Sequence, residues 1–359
     1  FDIFHGFAHA GDHAHEVFDI AHFFDLLQLI EKVFEIKGVF DVNKHVTDTM
    51  RFVGNVTVID TLQNQIYGGG HGIQKLLIEG NLYNNGYVIN RDDTGDELSI
   101  LITGNVANNG EWTCSYLNFI GSEDQYIEQA AGGKFDGSCN DLDSTSKIIA
   151  QSDIEITKEF NLNRSILDMQ GHQLTLGGWL RNGYCSNIIV KNAYLENLSS
   201  LDDLTIKGKV SSGNGNVFYQ NVIVEDTLQS TEYGGGSTFF DLTVNAELTN
   251  HGVIQNYNSG DMLRMIISGS IFNAGEWLNR ETHLSGMTGQ ELEQQAGTSF
   301  GGKFTNLDSS NTILAMSDLA FTGDLQLNRS RINVDQHNLA VDGWLQNGFL
   351  YNANLYHAH

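Results

Sequence analysis

From residue 38 onward the chain is written in short apolar runs that alternate with polar residues and stop at Gly or Asn. Examples are Leu76-Leu77-Ile78 before Gly80, Leu98, Ile100 and Ile102 before Gly104, and Ile188-Ile189-Val190 before Asn192. Alternation with a period of two, bounded by turn formers, predicts short strands joined by tight turns. The runs also recur. Gly80-Asn81-Leu82 with Asn84-Asn85-Gly86 returns 24 residues later as Gly104-Asn105-Val106 with Asn108-Asn109-Gly110, and similar pairs follow at roughly 20 to 25 residues, a spacing typical of stacked repeats. Two or three short strands per repeat with no helix between them predict the coil of a parallel β-solenoid. Stacked at about 4.8 Å, some 14 such coils would span about 70 Å. Leu, Ile and Val are expected to face inward. The corners fall at Asn85, Gly86, Asn109, Gly110, Gly252 and Gly275, where Gly is expected to supply a positive φ and stacked Asn amides to hydrogen-bond from coil to coil.

A longer repetition encloses the short one. Asp60-Thr61-Leu62-Gln63 and Tyr67-Gly68-Gly69-Gly70 return as Asp226-Thr227-Leu228-Gln229 and Tyr233-Gly234-Gly235-Gly236, and the match runs through Trp112 and Trp277 to Gly178-Trp179-Leu180 and Gly343-Trp344-Leu345. The offset is 166 residues at the start and 165 from Gly95 and Gly260 onward. The chain therefore divides into an N-terminal segment, 1–37, and two solenoid blocks, 38–219 and 220–359. The Gly-rich stretch fits neither a Rossmann nor a P-loop spacing; it marks the start of a repeated block.

Leu82-Tyr83-Asn84-Asn85-Gly86, Val106-Ala107-Asn108-Asn109-Gly110 and Ser186-Asn187-Ile188-Ile189-Val190-Lys191-Asn192 resemble the repeats of right-handed parallel β-helix surface proteins such as bacterial adhesins and autotransporter passengers. The resemblance covers about residues 38–357. It implies an all-β, right-handed parallel β-helix and an extracellular or cell-surface setting. The shared motif is a corner and carries no chemistry.

Residues 1–37 obey a different pattern. Asp12 to Phe34 is predicted to be a helix, with Val17, Ile20, Phe24, Leu27 and Leu29/Ile30 near one face and Gly38 beyond its end. Phe18, Phe23 and Leu26 extend the apolar surface past a single stripe, so most sides of the helix need cover. Asp19, Asp25, Glu31 and Lys32 point to protein rather than lipid as that cover.

Composition narrows the partners. The formal charge is −25 with only 19 Lys and Arg, which disfavours nucleic acid and anionic membranes, while 40% hydrophobic residues suffice for a core. No apolar run is long enough to be a membrane span. The chain opens at Phe1 rather than Met, which suits a mature product after signal removal and a truncated chain equally well. It contains no proline, consistent with uninterrupted ladders, because proline cannot donate to one. Cys114, Cys139 and Cys185 lack zinc-site spacing. Cys114 and Cys139 are separated by about one coil and are either a candidate disulfide or two small core residues.

The candidate chemistry is sparse. Asp92, Asp93 and Asp96 with Glu97 form the densest carboxylate group, a candidate for calcium or for acid and base work. Its second copy, Tyr257-Asn258-Ser259-Gly260-Asp261-Met262, keeps only Gly-Asp, which favours a solvated turn. Asp141/Asp143 and Asp202-Asp203 are weaker groups of the same kind. His5, His9 and His13 have i, i+4, i+8 spacing and are candidate ligands for Zn, Ni or Cu, though Gly6 and Gly11 interrupt the helix that would align them. Asn55, Asn163, Asn197 and Asn328 head glycosylation patterns; Asn163 and Asn328 are repeat equivalents, so a structural role is the simpler account. The four tryptophans fall into two equivalent pairs beside Gly. Aromatic rows can bind sugar rings, but single aromatics 67 residues apart favour packing.

Two functions fit. In the first, the chain is a structural extracellular subunit that stacks head to tail into a filament, fibre or sheath. Phe18, Phe23, Phe24, Leu27 and Ile30 at one end and Tyr351 and Leu355 in the strand-like C-terminal stretch are the assembly residues. In the second, it is a secreted carbohydrate-active or glycan-binding β-helix. Catalysis needs one specialised coil that breaks the repeat, and none stands out. The expectation is therefore a non-enzymatic homopolymer without cofactor, with surface glycans as candidate partners.

Overall fold

A computed structural model describes residues 33–42, 49–65, 72–91, 95–232, 238–286 and 289–359. These hold 44 short strands and no helix. The strands pair in parallel from Val33–Ile36, which lies on Asn55–Val58, to Asn354–Tyr356, which lies on Asn338–Val341. One sheet takes 26 strands and another 11. Parallel sheets of that size form without helical crossovers because each coil brings the chain back above its own start. The chain is a parallel β-solenoid of about 14 turns. Pairing passes through the boundary at residues 219/220 without a break, since Val217 faces Ser199 on one side and Thr243 on the other. Val33–His359 form a single unit.

The helix expected over residues 12–34 falls on residues 1–32, which lie outside the described residues, except at its end. There the structure corrects the boundary. Val33–Ile36 and Val39–Val42 are strands paired with Asn55–Val58 and Thr61–Asn64. Alternating Phe34 and Ile36 place apolar groups toward Phe52 and the core, which outweighs the continuation of a helical stripe.

Inward alternation builds columns. One runs Leu62, Val88, Trp112 in successive coils, then Phe135 and Ile156. Repeat-equivalent positions form another through Leu228, Ile254, Trp277, Phe300 and Phe321. No member of either is more than 2% exposed. Trp112 meets Phe135 edge to face at 5.1 Å, and Trp277 meets Phe300 at 5.4 Å. These two tryptophans pack in the core, deeper than a corner.

Asparagine forms the polar counterpart. Asn84 Nδ2 donates to Asn108 Oδ1 at 2.8 Å and to the Glu111 carbonyl at 2.9 Å, while Asn84 Oδ1 accepts from Gly86 N. Asn250 repeats the arrangement with Asn273 at 2.8 Å, the Glu276 carbonyl and Gly252 N. All four asparagines are fully buried. Each amide thus satisfies backbone groups that a turning chain leaves inside. Next to this inner rung stands an outer one, exposed, in which Asn109 donates to Asn85 at 3.2 Å.

The corner glycines are needed for a reason other than the expected one. Gly86, Gly110, Gly252 and Gly275 do not adopt positive φ. A Cβ on any of them would instead lie 1.9–2.2 Å from a carbonyl oxygen of the preceding coil. Asn takes many of the left-handed positions: Asn182, Asn187, Asn192 and Asn197 have φ between 49° and 61°, a conformation its short polar side chain tolerates.

On the outer face, register also pairs charges. Asp241, Arg264, Glu281 and Lys303 stack in successive coils. Arg264 binds Asp241 through two bonds of 2.7 Å, and Lys303 lies 3.8 Å from Glu281. A one-residue slip would move Arg264 from Asp241 onto Phe240 or Leu242 and break the pair, so the row helps to specify register.

Candidate functional site

The structure separates the residues singled out from the sequence. His5, His9, His13, Asp92 and Asp93 lie outside the described residues, as do Phe18, Phe23, Phe24, Leu27 and Ile30. Asp96 is buried. Its Oδ1 accepts the Gly72 N–H at 3.0 Å, and its carbonyl accepts from Asn64 Nδ2 at 2.9 Å, so it ties together two neighbouring coils. Among the described residues no group of three or more His, Cys, Asp or Glu is arranged around a metal position. Tyr351 and Leu355 are each 45% exposed on the last described coil.

The candidate disulfide is not formed. Cys114 and Cys139 are buried free thiols, as is Cys185. The coil period does bring the first two to adjacent coils, but Cys139 stands opposite Leu117 and the backbone of Cys114 stands against Gly137. The Cys114 thiol donates to the Leu98 carbonyl at 3.1 Å. Burial pushes the Cys114 and Cys185 thiols up to about 12 and raises Cys139 as well, which leaves all three inert as nucleophiles at neutral pH.

The glycosylation-pattern asparagines have backbone and ladder roles. Asn163-Arg164 and Asn328-Arg329 are consecutive positive-φ pairs. The following Ser165 and Ser330 are buried and donate to the carbonyls of Leu162 and Leu327. Asn55 Oδ1 accepts the Asn81 N–H at 2.8 Å. Asn197, at φ 49°, donates to Asn182 at 3.4 Å.

The remaining carboxylates are also engaged. Asp202 accepts from the Ser186 hydroxyl, and Asp203 from Asn221 N. Asp141 is fully buried and accepts from Asp143 N at 2.9 Å. Burial raises its pKa above the ordinary carboxylate value, against the hydrogen bonds that lower it. A raised folded-state pKa means the folded chain holds this proton more tightly than the unfolded chain. Stability from this group is therefore present below the ordinary Asp range and is lost as pH rises through the folded pKa. The second block places Asn306 here, with Nδ2 donating to the Asp308 carbonyl at 3.1 Å. Asp141→Asn is accordingly expected to raise the melting temperature at pH 7, with the gain shrinking toward pH 3. Melting curves across that range check it, and a gain that grows on acidification would contradict it.

One arrangement was not visible in the sequence. Trp179 stands opposite Tyr194 in the next coil, with ring centroids 5.2 Å apart. Beside them an open groove of about 420 Å³ is lined by Glu155, Thr157, Thr175, Asn192, Lys209 and Ser211 together with Tyr194. Further along, the Lys209 ammonium lies 5.5 Å from the ring centre of Tyr257, whose hydroxyl donates to Glu232 at 2.8 Å. Gly177 lets two coils approach closely at the rim, since a Cβ there would lie 2.0 Å from the Thr157 carbonyl oxygen, and two coils on Gly208 turns the corner against Asn192 at φ +59°. The doublet Gly177-Gly178 before Trp179 was the available signal. Its meaning depends on coil length, because here Cys185 faces Ser200, only 15 residues on.

Set beside known proteins, this chain matches no protein-family model, no curated protein and no solved structure.

Proposed function

We propose that the protein is a non-catalytic structural subunit, placed outside the cell or on its surface, that joins copies of itself end to end into a filament, fibre or sheath. The observation that carries this reading is parallel pairing that continues coil on coil from Val33–Ile36 to Asn354–Tyr356, the stacking mode that end-to-end copies would extend. Leu355 continues the inward column of Leu319 and Leu339 onto the last described coil, while Phe349, Tyr351 and Tyr356 face outward there, opposite Arg331, Asn333 and Ala340. Coils of a second copy carry the same inward alternation, as in Phe34 and Ile36 of the first described strand, and suit the same parallel stacking. Contact between unlike ends does not close and propagates as a fibre. The right-handed winding and the helical N-terminal segment expected from the sequence belong to this reading, the segment as the part that crosses to a neighbouring copy.

Electron microscopy and sizing of the purified chain test it. Filaments are expected, and Leu355→Asp combined with Tyr351→Asp is expected to raise the concentration needed for assembly at least about tenfold, since a charge buried at a stacked interface costs more than about 1.4 kcal/mol. Deleting residues 1–32 is expected to weaken assembly while sparing the first strand at Val33. A stable monomer at every concentration, or filaments indifferent to both changes, would overturn the proposal. The second reading, a secreted glycan-binding or carbohydrate-active β-helix, is favoured by the groove beside Trp179 and Tyr194.

A further inference from the structure

We infer that the corner groove beside Tyr194 binds a neutral oligosaccharide that lies along the coil stack from Trp179 toward Tyr257. The shape comes first. The hollow is open and its lining is drawn from four successive coils, Glu155 and Thr157, Thr175 and Gly177, Asn192 and Tyr194, then Lys209 and Ser211, so it runs across coils. Its lining mixes the hydroxyls of Thr157, Thr175 and Ser211, the amide of Asn192 and one charge of each sign, Glu155 and Lys209. These groups donate to and accept from ring hydroxyls without demanding a charge on the ligand.

The aromatic groups supply the second half of the recognition. Tyr194 and Tyr257 are each 39% exposed, and Trp179, half-buried, supports Tyr194 with an interplanar angle of 38°. Such rings present flat apolar faces with a polar edge, the surface on which the C–H face of a pyranose packs. Register takes Tyr194 to Ser211, Gln229 and then Gln255, two residues before Tyr257. Three coil steps span about 14 Å, the length of a short oligosaccharide. Lys209 lies between the two tyrosines and is turned to Tyr257; Tyr257 is in turn held by Glu232. The platform is therefore fixed before a ligand arrives, which lowers the cost of binding.

Charge selects among sugars. The chain carries −25, and Glu155, Glu159 and Glu232 stand at or near the groove, Glu159 already paired with Arg181 at 2.8 Å. A polyuronate or other polyanion is repelled by this field, so the ligand class is neutral.

The test titrates the full chain with cellohexaose and chitohexaose, with oligogalacturonate as the anionic probe, following indole and tyrosine signals by NMR. A neutral hexasaccharide is expected to shift the Trp179 indole signal. Trp179→Ala and Tyr194→Ala are each expected to weaken binding about tenfold and Tyr257→Ala about threefold, whereas Tyr126→Ala, an exposed tyrosine elsewhere, leaves it unchanged. Should Trp179→Ala lower the melting temperature, the surface variant Tyr257→Ala decides the matter alone. The inference fails if neither neutral hexasaccharide binds, if binding ignores all three groove variants, or if oligogalacturonate binds in their place. It stands or falls separately from end-to-end assembly, because the groove lies on the side of the solenoid.

Discussion

Asn84→Ala is expected to destabilise its coils by about 3 kcal/mol, whereas Asn85→Ala, one residue away, costs less than about 0.5 kcal/mol. The two side chains look alike in the sequence and differ only in where they point. Asn84 is fully buried and its amide serves Asn108 Oδ1, the Glu111 carbonyl and Gly86 N. Truncation leaves those groups unpaired inside the coil, where each costs about 1–3 kcal/mol. Asn85 faces water and accepts a single bond from Asn109 at 3.2 Å, which water replaces. A solenoid loses stability locally, since each coil contacts chiefly its neighbours. Hydrogen exchange is therefore the appropriate measurement. Protection should fall across residues 82–111 in Asn84→Ala and stay unchanged across residues 248–276. Asn250→Ala should mirror the effect in the second block, where Asn250 makes the same bonds. Equal, mild effects from Asn84→Ala and Asn85→Ala would show that the inner amide ladder does not hold the coils together.

The second large effect is expected at Gly252. A Cβ there would lie 1.9 Å from the Asp226 carbonyl oxygen and 2.7 Å from its carbon. Both are backbone atoms of the preceding coil, so no side chain can swing aside. Gly252→Ala must push two coils apart at a corner and is expected to cost on the order of 3 kcal/mol or more, at the upper end of overpacking effects. Gly297 provides the contrast. It sits at φ +89°, and a methyl group added there would meet nothing within 4 Å, so Gly297→Ala incurs only the backbone penalty of about 1–2 kcal/mol. Thermal melting of the two variants ranks them. The opposite order would mean that conformational freedom, rather than the close approach of coils, explains the corner glycines.

Much of this architecture is legible in the chain alone. Strand alternation, Gly and Asn punctuation and the 24-residue return of Asn84-Asn85-Gly86 as Asn108-Asn109-Gly110 lead to parallel coils, and the register bears this out, with Leu82 facing Val106 and Asn84 facing Asn108. Ladder periodicity is a local property, because a strand must repeat its inward positions to stack, and local properties survive in a single sequence. The same reasoning anticipates amide ladders. It does not distinguish the buried amide of Asn84 from the exposed one of Asn85, and it gives the corner glycines a φ-based role that Asn182, Asn187, Asn192 and Asn197 fill instead.

What the amino-acid sequence determined by itself was the kind of object: short strands, a stacked coil, apolar interior columns, and recurring stretches in which Trp277, Phe300 and Asn250 match Trp112, Phe135 and Asn84. Tertiary structure decided everything that depends on the exact length of each coil. Coil length sets which residue lies above which, so it put Leu117 rather than Cys114 opposite Cys139. The short coils after Gly177 brought Tyr194 onto Trp179. Residues of neighbouring coils meet according to the length of the coil between them, and a one-residue difference that falls in a loop is absorbed there, as the change of offset from 166 to 165 by Gly95 and Gly260 shows.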